Sequence, residues 1–409
     1  MKHIVFVIPH LGRTGHLFFG PLFDLEQCKI SVISHEPIDS FPRIYQQKIC
    51  GHYRVNNALD PGQLVVACRF LQEHYGPVHR LFGFLEDLQI ALGIVREHLN
   101  IEGMHEAVTR NFREKARMKE LFQQNDIPCA QHCLATDTDQ AVTFAQSVGF
   151  PVVVKPPAGA GARNTFQINN TQQLQDYLSV TQPSPEHPIL FEEFIQGDEF
   201  SCESISIHGN VVWSSVTCYS PTPLEVLKNP WIQWCILFPR ELEDSHYQQA
   251  IQLNHKVLSV LGMQTGLSHM EWFLRKDGRL TVSEVAARPP GAQIITLTSL
   301  GYDFDMHRAW GRLMALDRFD PPTRKYASGV AFLRGLGSGK VKAIHGLTQA
   351  QREVGSLVVE AKLPQIGQSS SPSYEGEGYV VLKHPRTEVV KEALRRLVST
   401  IRIEFANED

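Results

Sequence analysis

Residues 268–293 read SHMEWFLRKDGRLTVSEVAARPPGAQ, and the rest of the chain is best understood from this segment. Two short apolar runs flank Asp277 and Gly278, and a two-residue Asp-Gly loop between such runs is a strong signal for a β-hairpin. With that loop, the register sets Glu271 directly opposite Glu284, with the Cβ atoms about 5 Å apart. The segment therefore predicts two carboxylates on one face of a tight hairpin.

Two facing carboxylates repel each other, and a divalent cation would relieve that repulsion. Mg²⁺ takes one or two protein carboxylates and completes its coordination with water and phosphate oxygens. The hairpin alone leaves two other interpretations open. Glu271 and Glu284 could be solvated on a surface hairpin, or they could share one proton.

The order Glu271, Glu284 and Arg288 resembles the magnesium-binding hairpin of the ATP-grasp superfamily, whose usual form is Glu-x-Asn-x-Arg. Ala286 stands where the Asn would be, and the predicted register sets His269 opposite it. HMEW together with EVAAR is similar to the amino-acid ligase branch of the superfamily. The resemblance implies Mg²⁺, or alternatively Mn²⁺, on the two glutamates, and the missing Asn leaves the number of ions open.

The composition favours a soluble globular protein, because 43% of the 409 residues are apolar and 20% are charged. A net charge of −4 gives no electrostatic argument for nucleic acid or an anionic membrane as partner. The opening MKHIVFVIP predicts a first strand rather than a signal peptide, and no apolar run approaches the roughly 20 residues of a spanning helix. The eight Cys lack CxxC spacing, which predicts free thiols in the cytoplasm.

The first part of the chain predicts an open α/β unit, with strands at 4–8, 28–34 and 81–84 between helical stretches. The loop at 12–15 lacks both GxGxxG and the Walker pattern, which favours a connector and argues against a dinucleotide-binding oxidoreductase. The unit resembles the small domain that precedes the ATP-grasp core. In that domain an acidic residue after such a strand faces substrate, which implies this role for Glu86; a solvated acid at a helix start is the alternative.

Residues 111–128 have apolar side chains at helical spacing and set Lys115 and Lys119 on a polar stripe. The pattern alone predicts one amphipathic helix with solvated lysines. The segment resembles the ATP-grasp entry helix, in which the first lysine reaches the nucleotide phosphates, and Lys115 holds that place.

The segment at 150–155, FPVVVK, predicts a strand that ends in Lys155, and the small-residue loop after it can offer backbone N–H groups to polyphosphate. No GK[ST] opens a helix, so this is not a Walker loop. It resembles the ATP-grasp lid loop, which implies nucleotide binding by Lys155, Gly159 and Gly161.

The segment at 189–207 predicts a hairpin whose first strand carries Glu192 and Glu193. Without the resemblance, these acids and Glu199 would be surface residues. In the resembling family this segment is the hinge between lid and body, where an acidic strand end and the following backbone hold adenine and a later glutamate binds ribose. The residues implied are Glu192, Glu193, Phe194 and Ile195 for adenine and Glu199 for ribose.

Residues 218–244 have no clean period and predict a long loop. Trp231 and Trp234 within it would either line a pocket for an apolar substrate group or pack against the body. Gly291 permits a close approach of the backbone to a ligand. The planar guanidinium of Arg288 suits an acyl phosphate or an oxyanion.

The predicted fold is α/β, of the ATP-grasp type with an α+β lid. We expect an open α/β domain at 1–112, an ATP-grasp domain at 113–320 with its lid at about 121–189, and a β-rich domain at 321–409. The last part resembles the small closing domain of the glycinamide-ribonucleotide-synthetase and biotin-carboxylase type.

The resemblance implies an acid–amino acid ligase that forms a dipeptide or similar amide from ATP and small-molecule carboxylate and amine substrates, with Arg288 as the catalytic residue. Alternatives are a nucleotide-precursor amide synthetase, a biotin-carboxylase-like enzyme and a non-catalytic nucleotide-binding regulator. Family members are often dimers, which predicts a homodimer.

Overall fold

The computed structural model describes residues 1–159, 164–229, 232–371 and 373–406. Within these ranges the chain forms four β-sheets and the helices that cover them. The strands are β1 (Lys2–Val7), β2 (Cys28–Ser34), β3 (Ile49–Arg54), β4 (Arg80–Phe82), β5 (His132–Ala135), β6 (Val152–Lys155), β7 (Phe166–Ile168), β8 (Ile189–Glu193), β9 (Gly197–Ile207), β10 (Asn210–Ser220), β11 (Trp234–Phe238), β12 (Gly266–Arg275), β13 (Leu280–Ala286), β14 (Ala327–Leu333), β15 (Val341–His345), β16 (Val358–Lys362), β17 (Gly378–His384) and β18 (Arg402–Phe405).

The helices are α1 (Arg13–Phe19), α2 (Arg43–Gln46), α3 (Pro61–Tyr75), α4 (Gln89–His98), α5 (Glu106–Arg113), α6 (Lys115–Gln124), α7 (Thr138–Val148), α8 (Thr171–Thr181), α9 (Pro223–Lys228), α10 (Ser245–Leu261), α11 (Ile294–Tyr302), α12 (Met306–Leu316), α13 (Leu347–Val354) and α14 (Thr387–Thr400). No helix in the described part of the chain combines the length and the apolar character needed to cross a membrane.

The N-terminal sheet is parallel, with strand order β3-β2-β1-β4. Its central strand β1 is apolar and almost wholly buried, as expected for a parallel strand covered on both faces. This confirms the predicted open α/β unit. The order changes direction at β1, so the carboxyl ends of β1 and β4 flank the position where such sheets bind ligands.

A second sheet, with order β5-β8-β6-β7, buries its apolar face under α7 and α8. The third sheet has eight strands in the order β13-β12-β9-β10-β11-β14-β17-β16. The predicted hairpin at 189–207 is therefore wrong, because β8 and β9 belong to different sheets. The long strand β9 pairs with β10 and β12, which leaves β8 to pair with β5 and β6.

The segment predicted as a loop at 218–244 contains the end of β10, helix α9 and strand β11, so this prediction is also wrong. Trp234 explains the difference, because its indole is buried and stacks on Phe332, with ring centroids 5.1 Å apart. The strand around it pairs with β10 and β14. Strands β14, β17 and β16 extend the same sheet, and the predicted domain boundaries remain a prediction.

The helix predicted at 111–128 is two helices, α5 and α6, which meet at Glu114 in an extended conformation (φ −92°, ψ 101°). The break lets the backbone N–H of Lys115 donate to the carbonyl of Pro157 at 3.0 Å. Lys119 is fully buried rather than solvated. The amphipathic pattern did not reveal this because the partners of Lys119 come from β8 and β13.

The β12–β13 hairpin pairs Glu271 with Glu284 and His269 with Ala286, as predicted. The predicted two-residue turn is wrong: Arg275 N–H donates to the Arg279 carbonyl at 2.9 Å, which leaves a three-residue loop ending at Gly278. Gly278 has a φ of +81°, as three-residue hairpin loops require. A bulge at Ser283 shifts the register back by one residue, so the two carboxylates still face each other.

Candidate active site

A cavity of about 390 Å³ lies between the β5–β8 sheet and the eight-stranded sheet. It collects most of the residues that the sequence singled out: Lys115, Lys155, Gly159, Glu192, Glu193, Phe194, Ile195, Glu199, Trp234, His269, Glu271, Glu284, Arg288 and Gly291. Of the predicted residues that the structure describes, only Glu86 does not line it. Gly161 and Trp231 lie outside the described residues.

Among the described residues four lysines line the cavity, and a buried carboxylate joins two of them. Lys155 Nζ lies 2.9 Å from Glu192 Oε2, and Lys119 Nζ lies 3.4 Å from Glu192 Oε1. Lys119 also donates to the Ser283 carbonyl at 2.9 Å, which is the carbonyl of the bulged residue. Burial lowers the pKa of Lys119. Burial would also lower the pKa of Lys155, but the carboxylates of Glu192, Glu284 and Glu271 together raise it. Lys119 lies one helical turn after Lys115, and this spacing could have identified it from the sequence as a second lysine of the site.

Lys115, the first residue of α6, contacts Glu284 Oε2 and lies 3.4 Å from the carbonyl of Gly159. Burial alone would raise the pKa of Glu284, but the charges of Lys115 and Lys155 lower it overall. Glu284 is therefore ionised at neutral pH. The loop residue Gly159, the start of α6 and the β12–β13 hairpin thus meet at Lys115 and Glu284.

Glu199, Glu271 and Glu284 form an acidic face of the cavity. Burial, followed by the charges of Glu271 and Glu284, raises the pKa of Glu199 well above its usual value. Carboxylates that repel each other at a cavity wall suit a hard divalent cation, which supplies the missing charge. The residues present therefore fit a magnesium ion held by Glu271 and Glu284.

Among the described residues, a second cluster of possible metal ligands lies outside this cavity. Glu102, His208 and Asp317 bring their ligand atoms within 4.8 Å of one another. Arg80 forms ion pairs with both of these carboxylates, so their charge is already compensated. We assign no metal to this group.

Glu203 is a buried residue of the site that sequence reasoning missed. It accepts hydrogen bonds from Ser201 Oγ at 2.6 Å, from Thr217 Oγ1 at 2.8 Å and from His269 Nδ1 at 2.9 Å. His269 Nε2 in turn lies 3.4 Å from Glu271 Oε1. Burial would lower the pKa of His269, but Glu203 and Glu271 raise it to about 9. The signal was the alternation along β9, which points Glu203 to the same face as Glu199.

Arg288 lines the cavity, and Glu86 holds its guanidinium. Arg288 Nε and Nη2 lie 2.8 and 2.6 Å from Glu86 Oε2, and the other Glu86 oxygen pairs with Arg113. The expectation that Glu86 contacts substrate stays a prediction, since the carboxylate here accepts from two arginines. The sequence offered no signal for this pairing, because Glu86 and Arg288 lie 202 positions apart.

One end of the cavity is aromatic. Trp234, Tyr219 and Tyr374 line it, with the Trp234 ring centroid 5.8 Å from that of Tyr219 and 4.9 Å from that of Tyr374. Trp234 Nε1 donates to the Pro221 carbonyl at 3.1 Å, which fixes the indole. Of the two alternatives left open for Trp234, lining a pocket or packing against the body, the structure shows both, because the indole lines the cavity and stacks on Phe332. Gly291 lines the same cavity without a side chain.

Helix α9 covers part of the cavity through Leu224 and Lys228, and its N-cap residue Thr222 also lines the cavity. Lys228 contacts Gln167 of β7, and its ammonium lies 5.7 Å from the centroid of the Phe194 ring. The helix thus contacts both β7 and Phe194, which lies between β8 and β9. The pattern of residues 218–244 did not predict this contact, because α9 was not recognised as a helix.

Comparisons with known proteins agree with this architecture. A model described as "ATP-grasp domain" matches residues 120–301. The L-arginine-specific L-amino acid ligase of Bacillus subtilis is 24% identical over 224 residues, which are 54% of this chain and 53% of that protein. The chain spans about half the length of the curated relatives it matches.

Solved structures confirm the predicted fold class. An L-amino acid ligase from Bacillus licheniformis superposes with a TM-score of 0.77 at 19% identity, covering 100% of this chain and 99% of that one. A carboxyaminoimidazole ribonucleotide synthase from Aspergillus clavatus, solved with ATP, gives 0.70 at 18% identity, covering 98% of this chain and 99% of that one. The fold that the resemblance to ATP-grasp proteins implied is thereby confirmed.

Proposed function

We propose that the protein is an ATP-dependent carboxylate–amine ligase, because residues 120–301 match the ATP-grasp domain model. The observation that carries the proposal is the convergence of Lys115, Lys155, Glu271, Glu284 and Arg288 on one cavity. Lysines suit phosphates, facing carboxylates suit a divalent ion, and a guanidinium suits a developing oxyanion. Phosphoryl transfer needs these groups mainly for positioning and charge neutralisation.

The proposed reaction has two steps. A substrate carboxylate oxygen attacks the γ-phosphorus of ATP, the bond to the β-γ bridging oxygen breaks, and ADP leaves with an acyl phosphate formed. The amine nitrogen then attacks the acyl carbon and loses a proton, and inorganic phosphate leaves with the amide formed. Arg288 stabilises the negative oxygen of the tetrahedral intermediate.

We assign the nucleotide contacts as follows. Lys115 and Lys155 bind phosphates, and Lys119 supports them through Glu192. The lid loop offers backbone N–H groups from its glycines, and the lid at about 121–189 closes to exclude water from the acyl phosphate. We assign adenine to Glu192, Glu193, Phe194 and Ile195, and ribose to Glu199. Gly159 and Gly161 are the lid-loop glycines that we assign to the phosphates.

Glu271 and Glu284 would hold Mg²⁺ or Mn²⁺, which would neutralise charge on the phosphates. Lys115 shares Glu284 with that ion in this assignment, so the lysine and the ion together offset the cavity's acidic face. The Ala286 side chain offers no ligand atom.

We place the carboxylate substrate near Arg288, His269 and Gly291, with an apolar side chain against Trp234. The similarity to L-amino acid ligases supports amino acids as substrates and a dipeptide or related amide as product. A nucleotide-precursor amide synthetase is the second candidate, supported by the fold shared with a carboxyaminoimidazole ribonucleotide synthase. We further propose a homodimer in the cytoplasm and the three domains expected from the sequence.

The test is phosphate release from Mg-ATP with single amino acids and then with pairs, followed by mass spectrometry of the product. We expect release to need a pair of substrates and the product mass to equal their sum minus one water. Glu271→Gln is the inactive control. Release with a ribonucleotide amine but with no amino-acid pair would favour the second candidate, and no ATP turnover with any pool would refute the ligase proposal.

A further inference from the structure

We propose that Glu86 is a positioning residue, which holds the Arg288 guanidinium at the cavity and away from the carboxylates of Glu271 and Glu284. This inference rests on the proposed function for the role of Arg288. It assigns the N-terminal sheet a part in the reaction, because Glu86 follows β4 at the carboxyl end of that sheet whereas Arg288 follows β13.

Three hydrogen bonds fix the position and the orientation of the Arg288 guanidinium. Arg288 Nε and Nη2 both donate to Glu86 Oε2, at 2.8 and 2.6 Å, and Nη1 donates to the Pro289 carbonyl at 3.0 Å. A guanidinium has five N–H donors, so these three bonds leave two N–H groups for a ligand. Bonds between an arginine and a carboxylate restrict orientation as well as distance.

Glu86 is itself held in place. Its side chain is only 10% exposed, and its Oε1 pairs with Arg113 at the end of α5. Arg113 also donates to Asp87 Oδ1 at 3.0 Å, so an alternating series of charges runs from Asp87 through Arg113 and Glu86 to Arg288. A carboxylate held between two guanidinium groups has little freedom to rotate.

Glu271 and Glu284 compete with Glu86 for the Arg288 guanidinium, which explains why a positioning residue is needed. Burial would lower the pKa of Arg288, but Glu86 first, and then Glu271 and Glu284, raise it. The acidic face of the cavity therefore attracts the same guanidinium. Without the charge of Glu86, the guanidinium would turn toward Glu271 and Glu284. It would then be too far from the acyl group of the proposed intermediate to stabilise the oxyanion, and it would compete with the divalent ion for the two carboxylates.

The test compares Glu86→Gln with Asp87→Asn. Both variants remove one carboxylate partner of Arg113, but only Glu86 contacts Arg288, and Asp87 is 69% exposed. For Glu86→Gln we expect kcat to fall about 10- to 100-fold, the loss expected for one charge-assisted hydrogen bond, with the KM for ATP unchanged and the KM for Mg²⁺ raised. For Asp87→Asn we expect kcat within about twofold of the unchanged protein.

A second readout does not depend on turnover. In protein labelled with ¹⁵N-arginine, the Nε–H signal of Arg288 is identified as the one that is absent from the NMR spectrum of Arg288→Lys. We expect that signal to be protected from solvent exchange in the unchanged protein and in Asp87→Asn, and to lose protection in Glu86→Gln. If Glu86→Gln does not fold, Glu86→Asp, which keeps the charge beside Arg113, is expected to lower kcat by an intermediate factor and to weaken protection.

An unchanged kcat in Glu86→Gln, an equal fall in Asp87→Asn, or full protection of Arg288 in the Glu86 variants would each overturn the proposal. Failure of the ligase reaction itself is distinguishable. The unchanged protein would then release no phosphate, while the Nε–H signals would still report whether Glu86 positions Arg288.

Discussion

Glu192 carries the negative charge that compensates two buried lysines, and we expect its replacement by Gln to destabilise the fold strongly. The Glu192 oxygens lie 2.9 Å from Lys155 Nζ and 3.4 Å from Lys119 Nζ. With an effective dielectric constant of about 20, each pair has a gross Coulomb energy of roughly 5 kcal/mol. Loss of a proton by one lysine recovers part of this energy, so we expect a net loss of about 3–5 kcal/mol in the free energy of unfolding.

The neighbouring glutamate is a matched control. Glu193 lies 2.9 Å from Arg275 Nη1, but its side chain is 24% exposed and its partner is 21% exposed. We expect Glu193→Gln to cost about 1 kcal/mol or less, because solvent screens the pair. Urea unfolding without nucleotide, followed by tryptophan fluorescence at neutral pH, measures both variants, with the m-value checked for constancy. A cost below about 1 kcal/mol for Glu192→Gln, or equal costs for the two variants, would refute the argument.

The pH dependence supplies a second check on the same variant. Burial would raise the pKa of Glu192, but Lys119 and Lys155 lower it overall. A carboxylate with a depressed folded-state pKa contributes stability above its unfolded pKa of about 4.3, and this contribution is lost as the pH falls through the folded value. The difference between the unchanged protein and Glu192→Gln is therefore expected to be constant from about pH 6 to 8 and to shrink on acidification. A difference that grew on acidification would contradict this.

Two further predictions concern the acidic face of the cavity. Lys115→Met removes the cation that contacts Glu284. We therefore expect the variant to bind Mn²⁺ more tightly in the absence of nucleotide, measured by electron paramagnetic resonance, and to bind ATP more weakly, measured by calorimetry. Weaker binding of Mn²⁺ would argue against a carboxylate that Lys115 and the metal ion share. Glu203→Gln removes the first group that raises the pKa of His269, so we expect that pKa, measured by NMR, to fall from about 9; a value that stays near 9 would show that Glu271 alone sets it.

Local patterns were sufficient wherever both partners of an interaction lie near each other in the chain. The facing of Glu271 and Glu284 followed from alternation along a short hairpin, even though the turn was assigned one residue too short. The error cancelled because the bulge at Ser283 restores the register. Lys155 was likewise visible at the end of an apolar strand, directly before a loop of small residues.

Sequence patterns failed where a choice between partners was made at long range. The segment after Glu193 looked like a hairpin turn, but β9 finds better partners in β10 and β12, so the chain passes to another sheet. Lys119 looked solvated, because a lysine on a helix is usually exposed, and only Glu192 and the Ser283 carbonyl make its burial tolerable. Burial of a charge depends on partners that periodicity does not report.

By itself, the sequence determined the open α/β character of the first unit, the pairing of the two hairpin carboxylates and the candidate lysines Lys115 and Lys155, because these follow from the spacing of residues within one or two elements. Only the tertiary structure decided that Glu203 orders His269 and that Glu86 holds Arg288. Glu203 and His269 are 66 positions apart, and Glu86 and Arg288 are 202 apart. Glu203 and His269 meet because β9 and β12 are paired neighbours in one sheet, and Glu86 and Arg288 meet because the residues after β4 contact those after β13. Burial then makes each pairing obligatory.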